Sequence, residues 1–555
     1  MICNFKFGAL FDVLKITKLK ILSFMNKFYI TTSIAYANAA PHIGFAMEVC
    51  QADALARYHR MKGDDVFFLS GTDENGIKIK KTAEEKKIGT QEFVDEISAK
   101  FQLLLNTLNV SNNDFIRTTD KNKHWTAAQK LWQKLAEAGD IYKSEYEGYY
   151  CVGCEAYLTE KDLVNGECPN HKKPPEKIRE ENYFFKLSKY GDKIKDEIES
   201  GRLEILPESR RNEILNIIKG GLKDVSFSRP KNVLDWGVPV PGDNSQTMYV
   251  WCDALTNYIS ALGYGESEVH ALARNGKEDS YRLKPELQTS KQSTKNFQKY
   301  WPADVHIIGK DILRFHAAIW PAMLMSAELS LPKKIFVHGF ITSGGQKMSK
   351  SLGNVVDPFE VADKYSVDAL RYYLLKEIPS GGDGDFSFGR FEKVYQADLA
   401  NGLGNLTARV LALAKISTFH FSISNHFPVS NFQTTINGVW EKYEDTLNNF
   451  KLNETLNIIW KFIGVCDEYV EKEKPWGLEG DRKREVVFNL LESLRQIAWM
   501  IRPFMPEASD KIFKQLFTDE ENRKKEMNKN LDEARQWGKA EFINVKKGES
   551  LFMRL

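Results

Sequence analysis

Residues 28–45 decide the fold: Phe28-Tyr-Ile-Thr-Thr32 is followed by a loop that leads to Pro41-His42-Ile43-Gly44-Phe45. The first run is aromatic and β-branched, which predicts a buried strand. Helix formers continue from Ala46 to about Lys62, and Gly63 is suited to the C-cap. Asp65-Val-Phe-Phe-Leu-Ser70 then predicts a second strand, with a helical stretch near 79–107 beyond it. Strand, helix and strand in this order imply a right-handed crossover and a parallel sheet.

The remaining strand pattern is interrupted. It breaks off near residue 141 and is predicted to resume at Thr247-Met-Tyr-Val-Trp251, Val305-His-Ile-Ile308 and Ile335-Phe-Val337. We therefore expect a nucleotide-binding type of fold that contains an insertion. The polar stretch 265–300 is expected to be a flexible surface excursion, and helical patterns dominate from about 391 to 545.

Length and charge exclude several classes of protein. The chain has 555 residues, which at ~100–200 residues per domain predicts about three to five domains. Lys+Arg 77 against Asp+Glu 75 leaves a net charge of +2, so the global basic field of a nucleic-acid coat protein is excluded. Apolar runs stay below the ~20 residues that cross a bilayer, and 7 cysteines spread thinly indicate a reducing compartment. We expect a soluble, multidomain, cytoplasmic enzyme without a membrane partner.

The first 26 residues lack the core and cleavage site of a signal peptide. We interpret them as an N-terminal extension from a misassigned start, with Met25 as the more natural start. An organellar leader is the alternative.

Two motifs indicate phosphate chemistry. The first is Pro41–Phe45, where a helix N-terminus favours phosphate, His42 can donate to phosphate oxygens, and Gly44 gives a flat base room to approach. The second is Gly344-Gly-Gln-Lys347-Met-Ser-Lys350-Ser351, in which two lysines can offset charge that develops on departing pyrophosphate. An ordinary loop could explain the first alone, but the two together are strong evidence for a site that binds a triphosphate.

These are the paired signatures of class I aminoacyl-tRNA synthetases, and residues 26–555 resemble the methionyl-tRNA synthetases. Four more sequence motifs support the resemblance: Ile34-Ala-Tyr36-Ala-Asn38, Gly71-Thr-Asp73-Glu-Asn-Gly76, Val250-Trp251-Cys-Asp253-Ala254, and the run from Ile308 to His316 that contains Gly309, Asp311 and Phe315. The resemblance implies an α/β fold: a class I Rossmann-type parallel-sheet catalytic domain with a zinc-knuckle connective insertion, followed by an all-α anticodon-binding domain. The predicted bounds are 1–26 for the extension, 27–140 and 231–340 for the two catalytic halves, 141–230 for the insertion, 341–390 for the lysine loop and stem-contact region, and 391–555 for the anticodon-binding domain.

The resemblance also implies a reaction and its site. The family activates L-methionine with ATP to methionyl-adenylate and transfers the methionyl group to the terminal adenosine of tRNA(Met). The implied methionine-binding residues are Ile34, Tyr36, Asp73, Trp251, Tyr258, Asp311, Phe315 and His316. The implied ATP-binding residues are His42, Gly44, Phe45, Gly309, Lys347 and Lys350, of which His42, Lys347 and Lys350 are the implied catalytic ones. Asp73 would hold the ammonium group, and the aromatic residues would wrap the thioether. Taken singly, those aromatic residues are as well explained by core packing.

Two residues depart from the family pattern. Phe45 stands where the first signature usually ends in histidine, and Asn75 stands where histidine is common. Phenylalanine cannot form a hydrogen bond to ATP, so one nucleotide contact is lost or replaced. Because His42 and both lysines remain, an active enzyme is still expected.

A third motif predicts a metal. Cys151-Val-Gly-Cys154 and Cys168-Pro-Asn-His171 form two knuckles with the spacing of a closed tetrahedral zinc site. With four protein ligands and no open position, one structural Zn2+ is expected, beside Mg2+ that accompanies ATP. The alternative is reduced cysteines packed in a core.

The predicted C-terminal helical domain contains candidate residues for contact with tRNA. Asn405 and Arg409 are spaced i and i+4, which places them on one helix face. In the family that face and a later tryptophan, here Trp476, receive the anticodon. The expected partners are tRNA(Met), ATP and L-methionine, and the chain is expected to be a monomer without a C-terminal dimerisation domain. The rival interpretations are a leucyl, isoleucyl, valyl or cysteinyl ligase, and a non-catalytic RNA-binding protein that keeps a synthetase body.

Overall fold

A seven-stranded sheet forms the centre of the catalytic half. Its order is Ala35–Tyr36, Asp65–Asp73, Lys27–Thr32, Val305–Gly309, Lys334–His338 and Glu204–Leu206, with Asp114–Arg117 also paired to Asp65–Asp73. Every pairing in it is parallel. In the register, Ile30 lies opposite Val305 on one side and Phe68 on the other, and all three are buried. The predicted crossover is confirmed, because helix Ile43–Met61 connects the parallel strands Lys27–Thr32 and Asp65–Asp73.

The computed structural model describes residues 26–151, 156–158, 160–169, 172–265, 295–348, 354–416, 431–542 and 544–555. Outside the large sheet, strands run over Ile141–Cys151, Ala156–Leu158, Glu176–Phe185, Val225–Ser226, Ser228–Pro230, Pro239–Val240, Asp243–Met248, Ile341–Ser343, Gln346–Lys347 and Gly384–Phe386. Within the described part of the first 330 residues, α-helices run over Ile43–Met61, Ile77–Glu85, Thr90–Thr107, Thr126–Glu137, Gly191–Glu199, Glu208–Lys219, Val250–Ala254, Asn257–Ser260 and Trp320–Ser326, and residues 295–300 are also helical. The later α-helices are Pro358–Tyr365, Val367–Lys376, Phe388–Val394, Asn405–Ile416, Asn431–Asn448, Leu452–Glu473, Gly480–Ile501, Pro506–Leu516, Glu520–Met527 and Leu531–Ala534, and π-helical turns cover Lys121–Trp125, Phe315–Ile319 and Tyr395–Gly404.

One local prediction was wrong. The run from Thr247 to Trp251 does not continue the parallel sheet: Asp243–Met248 lies in a separate antiparallel sheet, and Val250–Ala254 is helical. A short apolar run cannot distinguish a strand from a buried helix, and here the chain turns at Tyr249, whose N–H donates to Phe227 O. The stretch near 79–107 is helical as predicted and is divided into the helices Ile77–Glu85 and Thr90–Thr107, which are separated where Lys87 adopts a φ of 58°.

The predicted insertion contains a four-stranded antiparallel sheet in the order Ala156–Leu158, Ile141–Cys151, Glu176–Phe185 and Val225–Ser226. A strand from within the same predicted range, Glu204–Leu206, forms an edge of the large parallel sheet. The segment is therefore interwoven with the catalytic core rather than appended to it.

Several predictions concern residues that the structure does not describe. The extension over residues 1–26 lies outside the described residues except for Asn26, and so does most of the polar stretch 265–300. Among the residues that the structure describes, no helix is long and apolar enough to cross a membrane.

Candidate active site

Three strands that carry or lead to predicted methionine- and ATP-binding residues end at one edge of the large sheet. Strands Lys27–Thr32, Asp65–Asp73 and Val305–Gly309 are parallel neighbours, so their carboxyl ends lie together. The first leads to helix Ile43–Met61, the second ends on Asp73, and the third ends on Gly309. This is the edge at which open parallel sheets bind nucleotides.

His42 is the N-cap of helix Ile43–Met61. Its Nδ1 accepts a hydrogen bond of 3.0 Å from Gly44 N–H. Desolvation lowers the pKa of His42, against the carboxylates of Asp311 and Glu48, which raise it. The ring is therefore neutral at pH 7, and because Nδ1 accepts, its proton is on Nε2. A Cβ at Gly44 would lie 2.8 Å from His42 Cε1, so glycine at this position allows the ring to cap the helix.

Phe45, the departure from the family pattern, packs into the core. Its ring meets Phe101 edge-on at 4.9 Å between centroids, and the side chain is 8% exposed. The substitution is thus accommodated by apolar packing on helix Thr90–Thr107. Its contact with ATP stays a prediction.

The aromatic residues predicted to bind methionine contact one another. The rings of Trp251 and Phe315 are stacked, with centroids 3.7 Å apart. Burial lowers the pKa of His316 to about 4, so its ring is neutral. Since His316 Nδ1 lies 3.0 Å from Ile312 O, which can only accept, Nδ1 carries the proton and Nε2 accepts the Tyr258 hydroxyl at 2.7 Å. These buried polar groups hold Tyr258 and His316 in one arrangement.

Buried carboxylates surround the end of strand Asp65–Asp73. Asp73, Glu74 and Asp253 are each at most 4% exposed. Glu74 pairs with Arg117 at 2.7 Å, and Asn75 Nδ2 donates to Asp253 Oδ2 at 2.8 Å. A concentration of negative charge beside an aromatic pocket suits an amino acid with its ammonium group directed inward.

A buried ion pair that the sequence did not predict lies beneath this edge. Glu48 accepts from Ser33 N–H at 2.8 Å, from Ser33 Oγ at 2.7 Å and from His338 Nε2 at 2.8 Å. His338 Nδ1 lies 2.8 Å from Gly339 O, so both ring nitrogens donate and the ring is an imidazolium. Burial lowers the pKa of His338, but the hydrogen bond and charge of Glu48 outweigh it and the pKa is raised. The sequence feature that could have indicated this ion pair is Glu48, a glutamate within an otherwise apolar part of the helical run.

The lysine loop begins with a hairpin. Ile341–Ser343 pairs with Gln346–Lys347 through Gly344 and Gly345, whose φ values are 61° and 75°, as a tight two-residue hairpin turn requires. Asp385, which the sequence analysis did not identify, accepts from Thr342 Oγ1 at 2.6 Å and from Gly345 N–H at 2.8 Å. Lys350 and Ser351 lie outside the described residues, and of Lys347 only the backbone is described.

At the helical end, Asn405 and Arg409 lie in helix Asn405–Ile416. Arg409 forms ion pairs with Asp467 at 3.4 Å and Glu471 at 2.5 Å, both on helix Leu452–Glu473. Trp476 follows that helix and is 58% exposed, which is unusual for an indole.

Of the four predicted zinc ligands, Cys154 and His171 lie outside the described residues. Cys151 and Cys168 are 5% and 1% exposed. The backbone N–H of Cys168 donates to Lys173 O at 2.9 Å, and its carbonyl accepts from Lys172 N–H at 2.8 Å. Among the residues that the structure describes, no group of three or more metal-ligating side chains is assembled, at this position or at any other.

Comparison with protein families now defines the class. The model of the family "tRNA synthetases class I (M)" matches residues 28–178 and 170–411, and that of the "Anticodon-binding domain of tRNA ligase" matches residues 431–551. The parallel-sheet catalytic domain and the helical domain after it are those of a class I aminoacyl-tRNA synthetase.

Individual relatives identify the amino acid that enzymes of this family attach to tRNA. The methionine–tRNA ligase of Caldanaerobacter subterraneus is 43% identical over 547 residues, which are 95% of this chain and 79% of the relative. That of Bacillus subtilis is 40% identical over 552 residues, 96% of this chain and 78% of the relative. The structure of the Mycobacterium tuberculosis methionyl-tRNA synthetase in complex with methionyl-adenylate matches with a TM-score of 0.84 and 36% identity, covering 96% of this chain and 100% of that one.

The chain belongs to the methionine–tRNA ligases. It is a ligase that joins methionine to tRNA, and, as in class I synthetases generally, its ATP is used with Mg2+. This confirms the predicted family and reaction over the leucyl, isoleucyl, valyl and cysteinyl alternatives and over a non-catalytic role.

Proposed function

We propose that the carboxyl edge of the large sheet performs amino-acid activation with the residues brought together there. Asp73 binds the ammonium group, Trp251 and Phe315 enclose the side chain, and the Tyr258–His316 pair closes the pocket. Ile34, Tyr36 and Asp311 complete the methionine site, and Gly44, Phe45 and Gly309 complete the ATP site. The observation that supports this is the convergence of three parallel strand ends with the His42-capped helix.

In the first step a methionine carboxylate oxygen attacks the α-phosphorus of ATP. The new oxygen–phosphorus bond forms as the bond to the bridging oxygen breaks, and pyrophosphate leaves with both bonding electrons. In the second step a ribose hydroxyl oxygen of the tRNA attacks the methionyl carbonyl carbon, the bond from that carbon to the phosphate oxygen breaks, AMP departs with both bonding electrons, and the hydroxyl proton is released to solvent. No protein nucleophile is needed, so the protein contributes positioning and charge stabilisation. His42 Nε2–H donates to phosphate oxygens, and Lys347 and Lys350 offset the charge of the leaving group.

Asp73→Asn tests the ammonium site. Removing one partner of a buried charge pair is expected to raise KM for methionine about 100-fold, while KM for ATP changes little. The measurement is methionine-dependent ATP–pyrophosphate exchange, with leucine, isoleucine, valine and cysteine tested in parallel. Asp235→Asn is the control, because Asp235 is exposed and pairs with Lys80. An unchanged KM for methionine in Asp73→Asn would move the ammonium group elsewhere.

We extend the proposal to the anticodon, which Asn405, Arg409 and Trp476 would contact. Trp476→Ala removes an indole that can stack on an unpaired base, a contact of about 1–3 kcal/mol. We expect KM for tRNA(Met) in aminoacylation to rise about tenfold or more, while pyrophosphate exchange without tRNA stays at the wild-type rate. Leu103→Ala, at a side chain 55% exposed on the catalytic domain, should leave both assays unchanged. Equal losses in both assays for Trp476→Ala would exclude an anticodon role.

We also propose one structural zinc ion held by Cys151, Cys154, Cys168 and His171. The backbone hydrogen bonds of Cys168 with Lys172 and Lys173 and the burial of both described cysteines support this role, and zinc would supply a crosslink for the insertion. The purified protein is expected to contain about one zinc per chain. Cys168→Ser should lose it and melt at a lower temperature. Cys466→Ser, at a buried helical-domain thiol, should keep it. Full zinc content in Cys168→Ser would rule this ligand out.

The cytoplasm is the proposed location, supported by the sparse cysteines. A monomer is the proposed state, and light scattering of the purified chain tests it.

A further inference from the structure

Asn75 has a fixed orientation in the buried turn after strand Asp65–Asp73. Its Nδ2 lies 2.8 Å from Asp253 Oδ2 and 3.3 Å from Thr118 O, and both of these oxygens accept. The amide nitrogen must therefore face them. The Oδ1 atom is buried and finds no hydrogen-bond donor among the residues that the structure describes. The side chain is thus held for its two N–H donors, although a buried acceptor is left unsatisfied.

One of these two contacts, the one with the Thr118 carbonyl, connects Asn75 to Asp73, because the hydroxyl of the same Thr118 contacts Asp73. The Thr118 hydroxyl accepts from Glu74 N–H at 2.8 Å, so its proton is left for Asp73 Oδ1 at 3.3 Å. The backbone N–H of Asn75 lies 3.5 Å from the same oxygen of Asp73. Asn75 therefore joins Asp253 to the residue that orients the Asp73 carboxylate.

We propose that Asn75 is a positioning residue for the Asp73 carboxylate, and that it makes methionine binding insensitive to pH because it supplies two donors without a titratable group. This inference rests on the ammonium-binding role proposed above for Asp73. It also gives a function to the departure at position 75, where the family commonly has histidine.

The charged groups around Asn75 determine how a histidine at this position would change methionine binding with pH. Asp73 and Asp253 contact it, and the Glu74–Arg117 ion pair is one residue away. From the opposite side, the buried His124 ring approaches the Asp253 backbone, and burial lowers the pKa of His124 to about 4, so this ring is neutral. An imidazole at position 75 would gain a proton in acid, and its positive charge would then compete with the substrate ammonium for the carboxylates.

The test compares Asn75→Ser and Asn75→His in methionine-dependent pyrophosphate exchange between pH 5.5 and 7.5. We expect Asn75→Ser to raise KM for methionine about tenfold at every pH, with kcat changed by less than about threefold. Asn75→His should show a KM that rises further, about tenfold, from pH 7.5 to 5.5. The wild-type KM should stay level across the same range.

Two controls keep the outcomes distinct. Asn489→Ala removes a buried amide in the helical domain, where Nδ2 donates to Tyr469 Oη at 3.3 Å, and should leave KM and its pH profile unchanged. Asp73→Asn is measured beside the Asn75 variants. If Asp73→Asn raises KM while Asn75→Ser lowers only kcat, or while Asn75→His follows the wild-type pH profile, the positioning role of Asn75 is overturned and the ammonium site stands. If Asp73→Asn leaves KM unchanged, the ammonium site itself is wrong.

Discussion

His42→Ala is expected to slow methionyl-adenylate formation by about 10²–10³-fold, with KM for methionine within about twofold of wild type. The structure gives the reason. Because Nδ1 accepts from Gly44 N–H and the ring is neutral, the proton lies on Nε2, where it can donate to phosphate oxygens. Stopped-flow or pyrophosphate-exchange kinetics with saturating ATP measure the effect. A large rise in KM for methionine with unchanged kcat would instead place His42 in the amino-acid site.

Gly44→Ala is the matched variant for this prediction. The added Cβ would lie 2.8 Å from His42 Cε1, so the ring must move out of its capping position while its chemistry is unchanged. If the position of the donor matters, Gly44→Ala should approach the defect of His42→Ala. If only the presence of an imidazole matters, Gly44→Ala should remain close to wild type. A Leu103→Ala control on the exposed face of helix Thr90–Thr107 should have no effect.

The parts of the fold that could be predicted from sequence were those with short-range signals. The strand before Ser33, the helix after His42 and the strand from Asp65 are contiguous and strongly patterned, and the structure confirms their crossover. The same holds for the spacing of Asn405 and Arg409, which lie in one helix. Such features follow from local periodicity, and a family resemblance then adds the roles of individual residues.

The features that sequence reasoning missed depend on contacts between distant residues. Glu48 and His338 are 290 positions apart, and Asp385 holds the glycine turn of the lysine loop from 40 positions away. No local pattern specifies such pairs. The wrong strand at Thr247–Trp251 has the same origin, because pairing with Ser228–Pro230 and the turn at Tyr249 decided its conformation.

Another contact between residues distant in sequence lies at the junction between the catalytic and helical domains. Arg371, on helix Val367–Lys376, is fully buried. Its Nη2 donates to Asp53 at 2.7 Å and to Pro503 O at 3.0 Å, and its Nε donates to Phe504 O at 2.8 Å. Asp53 belongs to the helix that His42 caps, whereas Pro503 and Phe504 follow the long helix Gly480–Ile501 of the helical domain. One guanidinium therefore joins the helix of the first signature to the anticodon-binding half.

Arg371→Met is accordingly expected to destabilise the protein by about 3–5 kcal/mol, because the buried Asp53 carboxylate loses one of its two arginine partners and the buried carbonyls of Pro503 and Phe504 lose their donor. Burial alone would raise the pKa of Asp53, but Arg371 and Arg57 outweigh it and lower the pKa. In the variant the carboxylate retains only Arg57 as a cationic partner, so Asp53 should titrate at higher pH, and the loss of stability should be greatest at neutral pH and smaller in acid. Urea unfolding at pH 5 and pH 7.5 measures both effects. Arg179→Met, which breaks an exposed pair with Glu145, is the control and should unfold like wild type. If Arg371→Met matches that control, the two halves are held together by apolar packing, and the guanidinium is not what joins them.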